Sequence, residues 1–125
     1  MPPMVTVAQA ALESNWGQSK LSKEANNFFG IKSHKPHEQI QMITAESEKG
    51  KTVEIHAEFA KYLSMLDCFR CRDGILSRGA DYAGARHKLT DEEGFIVEIA
   101  KHWATDPNYA EKVSAVLTEV KGIVK

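Results

Sequence analysis

The chain has 125 residues, of which 42% are hydrophobic, and carries 16 basic against 17 acidic residues for a net charge of −1. That length suits one domain with a core large enough to need no disulfide or metal staple. The balanced charge excludes a nucleic-acid binder of the usual basic kind. No apolar run approaches the roughly 20 residues that span a bilayer, and no low-complexity stretch marks a disordered tail.

The start, Met1-Pro2-Pro3-Met4-Val5, lacks the charged and apolar regions of a signal peptide. Val5 to Asn15 is rich in good helix formers, and Met4, Val7, Ala8, Ala11 and Leu12 recur at helical spacing. Gly17 is the expected stop, which puts Glu13 in the last turn. Gln18 to Ser33 reads as a short helical turn followed by a loop. Gln39–Thr44 and Thr52–Phe59 then alternate like strands around the turn Glu48-Lys49-Gly50-Lys51, with Val53, Ile55, Ala57 and Phe59 on one face. Ser64 is placed to cap a helix ending near Gly79. Thr90-Asp91-Glu92-Glu93 fits a capping box that opens a further helix through Trp103. Asp106-Pro107 reads as a cap with proline at the first helical position, and Gly122 as the end of the last helix. These elements predict an α+β domain, mainly helical with one small β-hairpin lobe and a cleft between the two.

Two cysteines form Cys68-Phe69-Arg70-Cys71, a spacing shared by redox pairs and half zinc sites. His34, His37, His87 and His102 are the available second halves, but no spacing among them matches a zinc signature. Two buried structural thiols one turn apart are the preferred reading, and no metal or cofactor is expected.

No P-loop, H-E-x-x-H or dinucleotide glycine pattern is present. Carboxylates, amides and rings remain. Gln9 and Glu13 are four apart on one helix face, with Trp16, Asn26, Asn27, Phe28 and Phe29 following. A Glu beside a tryptophan at the negative end of a helix has two reasons to hold its proton near neutral pH.

The run Ala8-Gln9-Ala10-Ala11-Leu12-Glu13-Ser14-Asn15-Trp16-Gly17-Gln18-Ser19 resembles the signature of the glycoside hydrolase family 73 glucosaminidases. Asn26 to Lys32 resembles the "NNLFGIK" segment that follows it there, and Trp103 to Ala110 resembles "YATDPNYA". The three matches lie in the right order and together cover most of the chain. The resemblance implies a lysozyme-like fold over a single glucosaminidase-like domain, residues 1–125, and an enzyme that cuts the β-1,4 bond between N-acetylglucosamine and N-acetylmuramic acid. It implies Glu13 as general acid and Tyr109 as the cleft tyrosine. Trp103 stands where the family has Tyr, which keeps a ring and loses a hydroxyl. Glu46 aligns with the acidic residue of the family's hairpin, and Glu48 competes with it for that place. Trp16, Asn27, Phe28, Phe29 and Trp103 are the expected sugar contacts, through ring faces and amide hydrogen bonds.

The implied partner is the glycan strand of peptidoglycan, with no nucleic acid and no membrane span. The implied place of action is the bacterial wall, in the periplasm, at the cell surface or in a phage particle. The family carries a further helix ahead of the catalytic one, whereas this sequence starts only a few residues before Ala8, so the helix is dispensable here, or the sequence is a fragment or a shortened version. Absence of that helix predicts bare apolar surface on the first helix and hence a homo-oligomer. Two other readings stand beside the hydrolase: a lytic transglycosylase, which leaves 1,6-anhydro ends, and a non-catalytic wall-binding or assembly module.

Overall fold

The computed structural model describes residues 1–33, 38–48 and 51–124, and the backbone alone over 38–48 and 51–56. Helices α1 (Pro3–Ser14) and α2 (Lys20–Ala25) lead to strands β1 (Glu38–Glu48) and β2 (Lys51–Lys61). Helix α3 (Met65–Arg78), a 3-10 turn (Ala80–Tyr82), α4 (Ala83–Arg86), α5 (Glu92–Trp103) and α6 (Tyr109–Ile123) follow. The architecture is the expected one: α+β, a helical body with one antiparallel hairpin lobe.

Helix α1 opens with proline inside its first turn, where no backbone donor is lost. Its small residues Ala8, Ala10 and Ala11 are buried and let α6 pack closely against it. It stops earlier than expected: Asn15, not Gly17, takes the left-handed cap position. Ser14 explains the difference. Its hydroxyl donates to the Ala10 carbonyl at 2.6 Å and accepts from the Gly17 N–H at 2.9 Å, so the chain turns at once.

The hairpin pairs Glu38 with Lys61 through to Glu48 with Lys51, so both strands run longer than the sequence pattern suggested. Of the expected buried face, Phe59 is buried and Ala57 half-buried; the side chains of Val53 and Ile55 and the turn residues Lys49 and Gly50 lie outside the described residues. The loop after α2 completes the lobe: Ser33 N–H donates to the Glu58 carbonyl at 2.9 Å, and Ala60 N–H to the Ile31 carbonyl at 3.0 Å.

Ser64 caps α3 by accepting the Asp67 N–H at 3.2 Å, and Gly79 ends that helix, both as expected. Two other starts differ. Asp91, not Thr90, caps α5: its carboxylate accepts the Gly94 N–H at 3.1 Å. Helix α6 begins at Tyr109, not at Pro107. Asp106 spends its side chain on the Asn108 N–H at 2.8 Å and its carbonyl on the Tyr109 N–H at 3.1 Å, which closes a turn before the helix starts. Helix α6 then runs through Gly122 to Ile123.

One core cluster joins α1, α3, α5 and α6 through Val5, Ala8, Leu76, Phe95, Ile96, Ile99, Tyr109 and Val113. A second lies under the hairpin base, with Ala10, Phe29, Ile31, Ala60, Tyr62 and Cys68. The face of α1 expected to lie bare is therefore covered from within the chain. Of the large apolar residues of α1, Val7 is exposed and Met4 and Leu12 are half-buried.

Candidate active site

Three segments meet at Glu13. It projects from the last turn of α1. Burial pushes its carboxyl above the ordinary Glu range, and a hydrogen bond from the Tyr109 hydroxyl, at the start of α6, pulls partly the other way. The third segment is the Phe29-Gly30-Ile31 loop. Gly30 has φ +66°, and a β-carbon there would stand 3.4 Å from Glu13 Oε2. The left-handed backbone favours glycine here, and a β-carbon would come into ordinary contact with the acid.

Tyr109 is buried, and its own ionisation is suppressed by burial first and by the Glu13 charge second. It is a donor to Glu13, not a competing acid. Behind it Gln9 Nε2 donates to the Tyr109 oxygen at 3.1 Å. Gln9 Oε1 in turn accepts from Arg72 Nε at 3.0 Å and Nη2 at 2.8 Å. Sequence reasoning missed Arg72. The signal was present: Cys68, Arg72 and Leu76 are spaced by four on α3 and all three are 0% exposed, so an arginine occupies the middle of a core stripe.

Trp16 follows the helix end with φ +57°, a conformation that costs a bulky residue about 1–2 kcal/mol. The turn leaves its ring 46% exposed beside the acid's helix end. That is the side chain here best suited to receive a sugar face.

Other expected sugar contacts are used differently. Asn27 is buried, and its amide is spent on backbone: Nδ2 donates to the carbonyls of Ile31 and Ala60, both at 2.9 Å, while Oδ1 accepts from Phe29 and Ile31. It ties the Gly30 loop to β2, and no polar atom is left over for a sugar. Phe29 is 1% exposed, edge-on to Phe69 at 4.9 Å and to Trp103 at 6.4 Å, and so belongs to the core. Phe28 is half-buried against Phe69 at 6.1 Å. Trp103 is half-buried between Phe29 and Tyr82 and continues the wall of rings.

Glu46 lies opposite Val53 near the far end of the hairpin, and Glu48 opposite Lys51. Their side chains lie outside the described residues, as do His34 and His37. Cys68 Sγ accepts the Phe28 N–H at 3.4 Å and Cys71 Sγ the Tyr62 hydroxyl at 3.1 Å, which is the hydrogen-bonding of structural thiols. Burial pushes the Cys68 thiol up to about 11, so it is a poor nucleophile and ligand. Among the described residues, no three His, Cys, Asp or Glu side chains gather to hold a metal.

A helical body, a hairpin lobe and a half-buried Glu at the end of the first helix define a lysozyme-like domain. The chain belongs to the glucosaminidase family described as mannosyl-glycoprotein endo-beta-N-acetylglucosaminidase, which matches residues 1–122. It is 38% identical to the exo-glucosaminidase LytG of Bacillus subtilis over 92% of this chain and 43% of that protein. It is 32% identical to the peptidoglycan hydrolase FlgJ of Salmonella typhimurium over 98% of this chain and 41% of that one. The chain thus spans less than half the length of these relatives. Among solved structures, a peptidoglycan hydrolase mutant from Sphingomonas sp. A1 superposes with a TM-score of 0.87 at 28% identity, covering 98% of this chain and 84% of that one. The catalytic domain of the Listeria monocytogenes autolysin Auto does so at 0.78 and 31%, covering 97% and 73%.

Proposed function

We propose that this chain is a peptidoglycan glucosaminidase domain that cuts glycan strands internally at the β-1,4 bond between N-acetylglucosamine and N-acetylmuramic acid, with Glu13 as general acid. The observation that carries the reading is the Glu13 carboxyl itself, lifted by burial and held by the Tyr109 hydroxyl. A carboxyl raised in this way keeps its proton more readily than an ordinary Glu and is suited to donate it.

In this reading a strand lies across the end of α1 with one ring on Trp16. Glu13 delivers its proton to the glycosidic oxygen as the bond to the anomeric carbon breaks, and the aglycone leaves as a neutral alcohol. The positive charge that develops on the glucosamine ring is met by Glu46 on the hairpin or by the sugar's own acetamido oxygen. Water completes the exchange and leaves a reducing end. The names of the relatives support peptidoglycan as substrate, and the bacterial wall follows as the place of action.

Muropeptide analysis of purified sacculi digested with the protein tests the proposal. New reducing N-acetylglucosamine ends on fragments of mixed length are expected. Release of single terminal sugars would replace the internal cut by an exo mode, and 1,6-anhydromuramic ends would make the domain a lytic transglycosylase. Binding to sacculi with no new ends of any kind would make it a wall-binding module and end the enzymatic reading.

A further inference from the structure

Arg72 is the largest fully buried side chain among the described residues. A guanidinium in a core is costly to desolvate unless its donors are met. Here Nη1 donates to Thr6 Oγ1 at 2.8 Å and to Asp73 Oδ1 at 3.0 Å, Nε and Nη2 both grip Gln9 Oε1, and the group lies 5.5 Å from the Phe29 ring centre. Its carboxylate partner Asp73 is its chain neighbour, with a side chain 48% exposed. Most of the buried charge is therefore directed at one neutral amide.

That amide gives the arrangement a direction. A guanidinium has five donors and no acceptor, so Gln9 must turn its oxygen towards Arg72. Its nitrogen then faces Tyr109 and donates to the phenolic oxygen. With that oxygen accepting from Gln9, the hydroxyl proton of Tyr109 is free to turn to the neighbouring Glu13 carboxyl. An apolar residue at position 72 would free Gln9 to flip, and Tyr109 could then donate to Gln9 Oε1 and abandon the acid.

We propose that Arg72 is a positioning residue: by holding the Gln9 oxygen it sets the direction of the Arg72–Gln9–Tyr109–Glu13 hydrogen-bond chain and turns the Tyr109 proton towards the acid. The inference rests on the reading of Glu13 as the acid for its catalytic meaning, and on the hydrogen bonds alone for the rest. Among the described residues, the ionisable groups facing this chain are Glu13 from α1, Tyr109 from α6, and Arg72 with Asp73 from α3.

The test is a cycle of wild type, Arg72→Met, Tyr109→Phe and the double variant. Each is read by carbon-13 NMR titration of the Glu13 carboxyl and by kcat and KM on soluble, uncrosslinked peptidoglycan strands. Arg72→Met should raise the Glu13 midpoint by about one pH unit and lower kcat about tenfold, one hydrogen bond's worth, with KM nearly unchanged. Arg72→Lys, which keeps a donor for Gln9, should recover part of both. In the Tyr109→Phe background Arg72→Met should add nothing to either. Equal effects in both backgrounds would mean that the charge acts through space, and no effect in either would mean that Arg72 is only packing; both overturn the proposal. If Arg72→Met alone does not fold, Gln9→Met/Arg72→Met replaces both partners with side chains of similar shape; with no amide oxygen left to draw the Tyr109 proton away, the Glu13 midpoint must stay near that of wild type, and a rise of about one pH unit would mean that the charge acts through space and would overturn the proposal. A wild type that cleaves no glycan would overturn the assignment of Glu13, while the titration cycle would still decide the role of Arg72.

Discussion

Tyr109 at the first residue of α6 brings its hydroxyl beside the Glu13 carboxyl in the last turn of α1, so the two helices that build the core also assemble the acid. Their hydrogen bond opposes the effect of burial. Burial favours the protonated carboxyl, and the phenol keeps that preference from becoming so strong that the proton is never released.

Tyr109→Phe should therefore weaken catalysis without abolishing it. One hydrogen bond to the acid is lost, about 0.5–1.5 kcal/mol, which corresponds to a fall in kcat of up to about tenfold. Gln9 Nε2 also loses its acceptor, and leaving that donor unmet costs stability by about 1–3 kcal/mol. Initial rates on purified sacculi and urea melts check both; an unchanged rate would take Tyr109 out of the catalytic machinery.

Gly30→Ala probes the loop that faces the acid. The backbone at φ +66° disfavours alanine by about 1–2 kcal/mol, and its methyl would touch Glu13 Oε2 at 3.4 Å. The rate should fall further than the loss of stability explains. A variant with lowered Tm and a wild-type rate would show that the carboxyl can move aside freely.

Asn27→Ala separates a brace from a sugar ligand. All four of its hydrogen bonds go to backbone, and the change removes a partner from the Phe29 and Ile31 N–H groups and from the Ile31 and Ala60 carbonyls, of which the Ile31 carbonyl keeps the Ala60 N–H. A loss of at least about 2 kcal/mol in chemical unfolding is expected, with glycan affinity intact in whatever fraction folds. A stable variant with lost affinity would restore the sugar-binding role.

The elements were legible in the sequence because the apolar periods are clean and Ser64 and Gly79 bound α3 plainly. The boundaries that moved did so through single polar side chains: Ser14 closing α1 early, Asp91 capping α5 in place of Thr90, and Asp106 making a turn in place of a cap. Glu13 and Tyr109, which the motif resemblance named from opposite ends of the chain, lie beside one another, and Trp16 is exposed just past the end of α1. Asn27 and Phe29 do not face outward, because a motif records which residues recur and not whether they serve the ligand or the loop that holds it. Arg72 and the contact of Gly30 with Glu13 connect positions far apart in the chain, and no local pattern carries that information.

Glu13 also implies a dependence of stability on pH. Its carboxyl titrates higher in the folded chain than in the unfolded one. Between the two values the native state binds more protons, so stability falls as pH rises through that window, by at most about 1.4 kcal/mol per pH unit. The penalty is absent below the unfolded value and complete above the folded one. Glu13→Gln removes it, so the variant should match wild type near pH 4 and be more stable at neutral pH. Thermal melts at both pH values decide; a variant less stable than wild type at neutral pH would mean that the charged carboxylate is favoured by the fold.

The most direct test of the account is reducing-sugar release from purified peptidoglycan by wild type and Glu13→Gln, with circular dichroism to establish that both are folded. The substitution keeps the shape and removes the transferable proton, and a general acid contributes about 10²–10⁴-fold. The account predicts a folded variant that still binds sacculi and cleaves at no more than about a hundredth of the wild-type rate. A folded Glu13→Gln that kept more than about a tenth of that rate would contradict it.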